Sequence, residues 1–146
     1  MSRILVTGAN GQLGRCIEKI SDDFMGMEFE FHTSETLDIT DAEKISSIFS
    51  KGNFDYCINC AAYTNVEQAE KTPEPAYEVN AEAVKNLAIA CANNKMTLIH
   101  VSTDYVFDGE KETPYLPSDK TNPINEYGKS KLKGEGYIQE ILEHYL

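Results

Sequence analysis

Apolar residues along this chain follow two rhythms. The first is the short unbroken run. "RILVTG" at 3–8, "FDYCINCAA" at 54–62 and "TLIHVST" at 97–103 have it, and with "EFEFH" at 28–32 they read as strands of a buried parallel sheet. The second is recurrence every three or four positions. It predicts a helix from about Gly11 into "RCIEKI" and another over "ITDAEKISSIFSKG". In the latter, Thr40 or Asp41 is the cap, Ile45, Ile48 and Phe49 share a face, and Gly52 closes the helix. A long helix is predicted over 75–94, with Val79, Ala83, Val84, Leu87 and Ala90 on one side. A last helix runs from about Asn125 to the end, with Ile138, Ile141, Leu142 and Tyr145 as its apolar stripe. Between them, 108–123 is polar, contains Pro114, Pro117 and Pro123, and reads as a surface loop.

Strands alternating with helices predict an α/β fold: one open, doubly wound parallel sheet with helices on both faces. No repeat or interdomain linker interrupts it, so residues 1–146 read as one domain. The final helix has no cap and is of the kind that leads into a further strand, so the chain is expected to be the N-terminal portion of something longer. In such sheets, ligands bind beyond the C-terminal ends of the strands. "TGANGQLG", "CAAYT" and "STDYVF" all fall there.

Charge narrows the partners. The net charge of −11 argues against nucleic acid and anionic membranes, which need excess Lys and Arg. No apolar run reaches signal-peptide or transmembrane length, so a reducing cytoplasm is the expected location. The four cysteines are expected there as reduced, mostly buried small residues. Cys57 and Cys60 form a C-x-x-C, but on a strand positions i and i+3 face opposite ways. They are therefore expected to pack rather than to pair or to hold a metal, and no metal site is expected elsewhere.

"TGANGQLG" places Gly8, Gly11 and Gly14 between a predicted strand and a predicted helix. Gly8 suits a tight turn, Gly11 admits a pyrophosphate close to the backbone, and Gly14 lets the helix pack on the sheet. The helix N-terminus supplies free N–H groups and partial positive charge, so an acidic protein can still bind a dinucleotide. The fold expectation becomes a Rossmann-type domain binding NAD(P). At the end of the second strand, where an acid would favour NAD, stand His32, Thr33 and Ser34. Glu35 falls past the strand end and no Arg follows for a 2′-phosphate, so NADH and NADPH both stay open. Asp38 in "LDIT" is placed either near the adenine or as a cap for the next helix.

"NEYGKSKLKGE" sets Tyr127 four residues before Lys131. Chance alone gives roughly 0.6 such pairs in this composition, so the spacing carries weight only in context. On a helix the two share a face. A free phenol titrates near about 10, and a neighbouring ammonium lowers that toward neutrality, making tyrosine a proton donor for carbonyl reduction. Ser102 and Thr103 end the fourth strand and offer a hydroxyl to the carbonyl oxygen. Alternation allows only one of them into the site, and Thr103, 24 residues before Tyr127, is the better candidate.

Together "ILVTGANGQLGR", "LDITD", "NCAAYTNVEQAE", "VNAEAVKNLA", "VSTDYVFDG" and "NPINEYGKSKLKGE" resemble the dTDP-4-dehydrorhamnose reductases, in the extended short-chain dehydrogenase/reductase superfamily. The resemblance runs in order from Arg3 to about Glu135. It implies NAD(P)H-dependent reduction of the 4-keto group of dTDP-4-dehydro-6-deoxy-L-mannose to dTDP-L-rhamnose, for polysaccharide synthesis. It implies Thr103, Tyr127 and Lys131 as the catalytic set, with Lys131 also holding the ribose. Gly11, Gln12 and Leu13 would meet the pyrophosphate, Asp38 and Ile39 would flank the adenine, and Ala62, Tyr63 and Thr64 would line the nicotinamide side. Thr103 and Asp104 would touch a dTDP-sugar. Members are much longer, so the last strands and the C-terminal sugar-nucleotide domain are expected to be absent. A homodimer is an open expectation. Two other readings are a non-catalytic relative, like the methionine adenosyltransferase beta subunit, and a sugar-nucleotide epimerase or dehydratase, for which Asp104 would be the extra acid.

Overall fold

A computed structural model describes all 146 residues. Four parallel strands, β1 (Ser2–Thr7), β2 (Met27–Phe31), β3 (Tyr56–Asn59) and β4 (Thr97–His100), form one sheet in the order β2-β1-β3-β4. The chain first steps from β1 to β2 on one side, then crosses back to β3 on the other. Such a reversal leaves a crevice at the C-terminal strand ends. Thr7 is opposite Asn59, and Asn59 is opposite His100, so the strands finish along one edge.

Period-two alternation divides the sheet's side chains between two faces. Leu5, Cys57 and Leu98 point to one face and are fully buried. Their cluster includes Ile45 and Phe49 of α2 (Ala42–Gly52), Leu87 and Cys91 of α5 (Ala83–Asn94), and Ile138 of α6 (Glu126–Ile141). Ile4, Ile58 and Ile99 point the other way, toward Ile17 and Ile20 of α1 (Gln12–Ile20). This face is only partly covered, and an all-apolar groove of about 330 Å³ lies along it.

Local chemistry sets the boundaries. Of the two cap candidates before α2, Asp41 serves, its side chain accepting from Lys44 N–H at 2.9 Å. The helix ends at Gly52, as expected. The left-handed residue is Asn53, with φ of 48°. Gly52 is small because the Phe54 ring occupies the space a Cβ would need. The helix expected over 75–94 is continuous but interrupted in register. It comprises α4 (Glu74–Tyr77), a π turn (Glu78–Glu82) and α5, ending at Lys95 with φ of 56°. Before it lies α3 (Val66–Lys71), too short for periodicity to show. Its one sequence signal is Asn65, which accepts from Gln68 N–H at 3.0 Å.

Two strands are shorter than the apolar runs imply. β3 stops at Asn59, whose side chain accepts from Ala61 N–H, and β4 stops at His100, because the next carbonyl, of Val101, is taken by Lys131. α6 begins after Asn125, which accepts from Gly128 N–H at 2.7 Å, and ends at Ile141. Tyr145 is therefore not part of its stripe. It lies opposite Leu98 in a parallel bridge, and Leu146 bonds both Leu98 O and His100 N–H.

The cysteines divide. Cys57 of β3 and Cys91 of α5 are buried, and the neighbouring Cys91 thiol together with burial pushes the Cys57 thiol well above its ordinary pKa. Cys60 is half-buried beyond the strand, and Cys16 is exposed, contrary to a mostly buried set. No helix is long and apolar enough to cross a membrane.

Candidate active site

The glycine loop is built by close approach. Gly8 sits at φ +64°, and a Cβ there would fall 2.6 Å from Ala61 N, so β3's exit segment packs directly on it. A Cβ on Gly14 would fall 2.5 Å from Gly8 O and 2.7 Å from Ala9 Cα, so α1 starts against the loop. Ala9 N–H bonds His32 O at 3.0 Å, tying the loop to β2's end. Gly11 occupies the cap position of α1 without a side chain to bond the first-turn N–H groups. Gln12 and Leu13 are exposed on that turn. The helix thus presents donors and partial positive charge to the crevice, which suits an anion.

Above the loop opens a cavity of about 530 Å³, within the range of small-molecule sites. Gly8, Gly11, Asp38, Ile39 and Ala62 line it. Ser34 lines it from β2's end, while Glu35 is exposed and outside the lining. His32 is held by Glu30 at 2.8 Å. Asp38 does not cap α2. Its carboxylate accepts from Thr40 N–H at 2.9 Å and Thr40 Oγ1 at 2.8 Å, which holds its pKa below the usual range. Tyr63 and Thr64 continue the Ala62 segment beyond the cavity wall.

Thr103, Tyr127 and Lys131 lie outside the lining of that cavity, and Lys131 is 2% exposed. Its Nζ donates to Val101 O at 2.6 Å and lies 3.5 Å from His100 Nε2. Burial lowers its pKa to about 8, against the pull of Glu135. A shift from 10.5 to about 8 costs about 3 kcal/mol at neutral pH, which the burial of one or two core Leu or Ile side chains offsets. Tyr127, one turn earlier, is half-buried and meets the Tyr105 ring edge-on, with centroids 5.7 Å apart. None of Lys131's hydrogen bonds goes to Tyr127.

The two hydroxyls lie beyond the end of β4, where strand alternation no longer applies, and they take different partners. Ser102 Oγ donates to Glu135 of α6. Thr103 Oγ1 accepts from Tyr105 N–H at 3.2 Å, capping the 3-10 turn Asp104–Val106, and lies 3.4 Å from Asp104 Oδ1. That turn rests on α6, where Gly128 leaves room for Tyr105 O.

Three polar residues of the site escaped the sequence reading. Asn80, in the π turn and 1% exposed, accepts from Tyr63 N–H at 2.9 Å and donates to Tyr63 O at 2.9 Å and Ser130 Oγ at 3.0 Å. Ser130 in turn donates to Tyr127 O at 2.7 Å. Asn59 links Thr7 to His100 across the strand ends. The available signal was polarity inside apolar runs: a buried amide is retained only where it is hydrogen-bonded.

The family model described as "RmlD substrate binding domain" matches residues 1–146. A dTDP-4-dehydrorhamnose reductase of Aggregatibacter actinomycetemcomitans is 44% identical over 135 residues, covering 92% of this chain and 46% of its own. The crystal structure of the Clostridium acetobutylicum dTDP-4-dehydrorhamnose reductase superposes with a TM-score of 0.93 at 40% identity, over 98% of this chain and 51% of that one. The Bacillus anthracis reductase, solved in complex with NADP, gives 0.94 at 36%, over 99% and 52%. The chain thus spans about half the length of the relatives it matches. With a single family model running from its first residue to its last, the chain belongs to the RmlD family.

Proposed function

We propose that residues 1–146 form the NAD(P)-binding Rossmann half of a dTDP-4-dehydrorhamnose reductase. The whole protein reduces the 4-keto group of dTDP-4-dehydro-6-deoxy-L-mannose to give dTDP-L-rhamnose. One observation carries this reading. Thr7, Asn59, His100 and Lys131 form a continuous chain of polar contacts along the strand ends, linking the strand that leads into the glycine loop to the helix that carries Tyr127 and Lys131. The B. anthracis relative solved with NADP supports NADPH as a ligand, and Ser34 in place of an acid leaves room for it beside NADH.

Gly11, Gln12 and Leu13 at the uncapped first turn of α1 would hold the nucleotide's phosphates, with Gly8 and Gly14 shaping the loop. Asp38 and Ile39 would flank the adenine, and Ala62, Tyr63 and Thr64 would border the nicotinamide. The cofactor supplies the hydride. Thr103 donates a hydrogen bond to the sugar carbonyl, Asp104 contacts the sugar, Tyr127 delivers the proton, and Lys131 holds the ribose and favours the tyrosinate left behind. A homodimer and a cytoplasmic location fit a reductase of nucleotide-sugars.

The test is Tyr127→Phe in the whole protein. Turnover is expected to fall by about 10²–10⁴-fold, followed as loss of NADPH absorbance, while NADPH still binds. Unchanged turnover would remove Tyr127 from the chemistry. Bound NADPH without turnover of the sugar by the wild type would favour a non-catalytic nucleotide-binding role.

A further inference from the structure

The segment leaving β4 is fastened to successive turns of α6. Lys131 Nζ donates to Val101 O at 2.6 Å, and Ser102 Oγ donates to a carboxylate oxygen of Glu135. Tyr105 closes the segment, its ring against Tyr127 and its carbonyl against Gly128. Tyr127, Lys131 and Glu135 are spaced by four, so one face of α6 carries all three. Thr103 lies between the anchored residues, and its Oγ1 accepts from Tyr105 N–H at 3.2 Å. Where Thr103 stands relative to Tyr127 is therefore set by the hold of its neighbours on α6.

We propose that Glu135 is a positioning residue acting on two members of the site at once: through Ser102 it fixes Thr103 at the β4 exit, and through its charge it stabilises the ammonium of Lys131. The two effects need different properties of one side chain. Accepting from a hydroxyl requires only an oxygen, whereas balancing an ammonium requires the negative charge. Lys131 is 2% exposed, so water does little to stabilise its charge. Burial lowers its pKa to about 8, and Glu135 opposes that shift.

The other titratable groups around α6 have partners of their own. His100 of β4 lies 3.5 Å from Lys131 Nζ, but burial holds it neutral, with a pKa of about 3. Glu82 of the π turn is bound to Lys133 at 2.6 Å, and Glu126 to Lys129 at 2.6 Å. Glu70 of α3 takes Glu126 N–H at 2.5 Å, Tyr77 of α4 donates to Glu126 at 3.1 Å, and Asp104 lies beside Thr103. Lys85 of α5 lies over the Tyr137 ring. Glu135, one turn beyond Lys131, is the carboxylate left to balance it.

The importance of Thr103 and Lys131 rests on the reductase reading, but the titration of Lys131 does not. The experiment is carbon-13 NMR titration of Lys131 Cε in this chain, assigned by loss of its signal in Lys131→Met. Glu135→Gln keeps an acceptor for Ser102 and removes the charge, and should lower the midpoint by roughly half a pH unit or more. Ser102→Ala keeps the charge and should leave the midpoint within a few tenths of a unit. In the whole protein the two variants should separate again. Glu135→Gln should move the alkaline limb of kcat to lower pH, because the ammonium is lost earlier. Ser102→Ala should lower kcat by about tenfold with no shift of that limb and an unchanged KM for NADPH, and Ser102→Thr, which restores the hydroxyl, should recover most of the loss. A midpoint unmoved in folded Glu135→Gln overturns the proposal. So does a wild-type kcat in Ser102→Ala, even if Glu135→Gln fails to fold. A midpoint that falls as expected, in a protein whose wild type reduces no sugar, would sink the proposed function and leave Glu135 as the counter-charge of Lys131.

Discussion

The Lys131 side-chain nitrogen lies 2.6 Å from the Val101 carbonyl oxygen, joining the middle of α6 to the point where β4 ends. The carbonyl is satisfied by a side chain rather than by another strand, so the chain is free to turn into the segment carrying Ser102 and Thr103. The same bond holds a buried amine whose charge is costly.

That cost gives a stability prediction with a defined sign. The folded pKa of Lys131 is lowered from 10.5 to about 8, so between those values the unfolded chain binds more protons. Wild-type stability from this group therefore rises with pH across that window, by up to about 3 kcal/mol. Lys131→Met is expected to be at least as stable as wild type at pH 7 in urea unfolding, and to lose that advantage by about pH 10. A difference independent of pH would contradict the burial argument.

His100 acts at the acid end. Its folded pKa lies near 3, below the ordinary 6.5, because burial and Lys131 disfavour the imidazolium. Its contribution is complete above pH 6.5 and is lost as pH falls toward 3, by up to about 5 kcal/mol. His100→Gln should flatten acid unfolding across this range. An unchanged acid limb would mean that His100 protonates without cost.

Asn80 makes three hydrogen bonds from inside a π turn. Asn80→Ala should cost about 2–4 kcal/mol, since Tyr63 N–H and O and Ser130 all lose a partner. Faster hydrogen exchange at Tyr63 would show that the loop is released. A loss below about 1 kcal/mol would show that water replaces the side chain.

Two glycines of α6 make a paired test. A Cβ on Gly134 would overlap Asn80 O, whereas one on Gly136 meets nothing within 4 Å. Gly134→Ala should destabilise by about 1–3 kcal/mol by pushing α6 off the π turn. Gly136→Ala should stabilise by up to about 1 kcal/mol through helix propensity. Equal effects in thermal unfolding would refute the close packing at Gly134.

The sheet was legible because β1, β3 and β4 are apolar on both faces, and because Gly8, Gly11 and Gly14 mark where β1 becomes a turn and a helix. Of the cavity residues, Gly8 and Gly11 followed from those landmarks, Asp38 was open between the adenine and a helix cap, and Ile39 and Ala62 came only through the resemblance to the reductases. Strand ends were harder. Apolar runs continue past Asn59 and His100, but pairing stops where side chains take backbone groups: locally at Asn59, which takes Ala61 N–H, and at Val101, whose carbonyl is taken by Lys131 from 30 residues away. The π turn left no mark on the 75–94 periodicity, because one extra residue in a helix shifts the face only locally. Asn59, Asn80 and His100 each look like a flaw in an apolar segment until their partners on other elements are known.

Calorimetric titration of the chain with NADPH, and separately with NADH, tests the central claim most directly. Wild type should bind with one saturable site. Gly11→Asp, which adds a carboxylate at the exposed cap of α1, should remain folded and bind neither nucleotide. A folded wild-type chain that binds neither, or a Gly11→Asp chain that binds as well as wild type, would contradict the placement of the cofactor in the glycine-loop crevice.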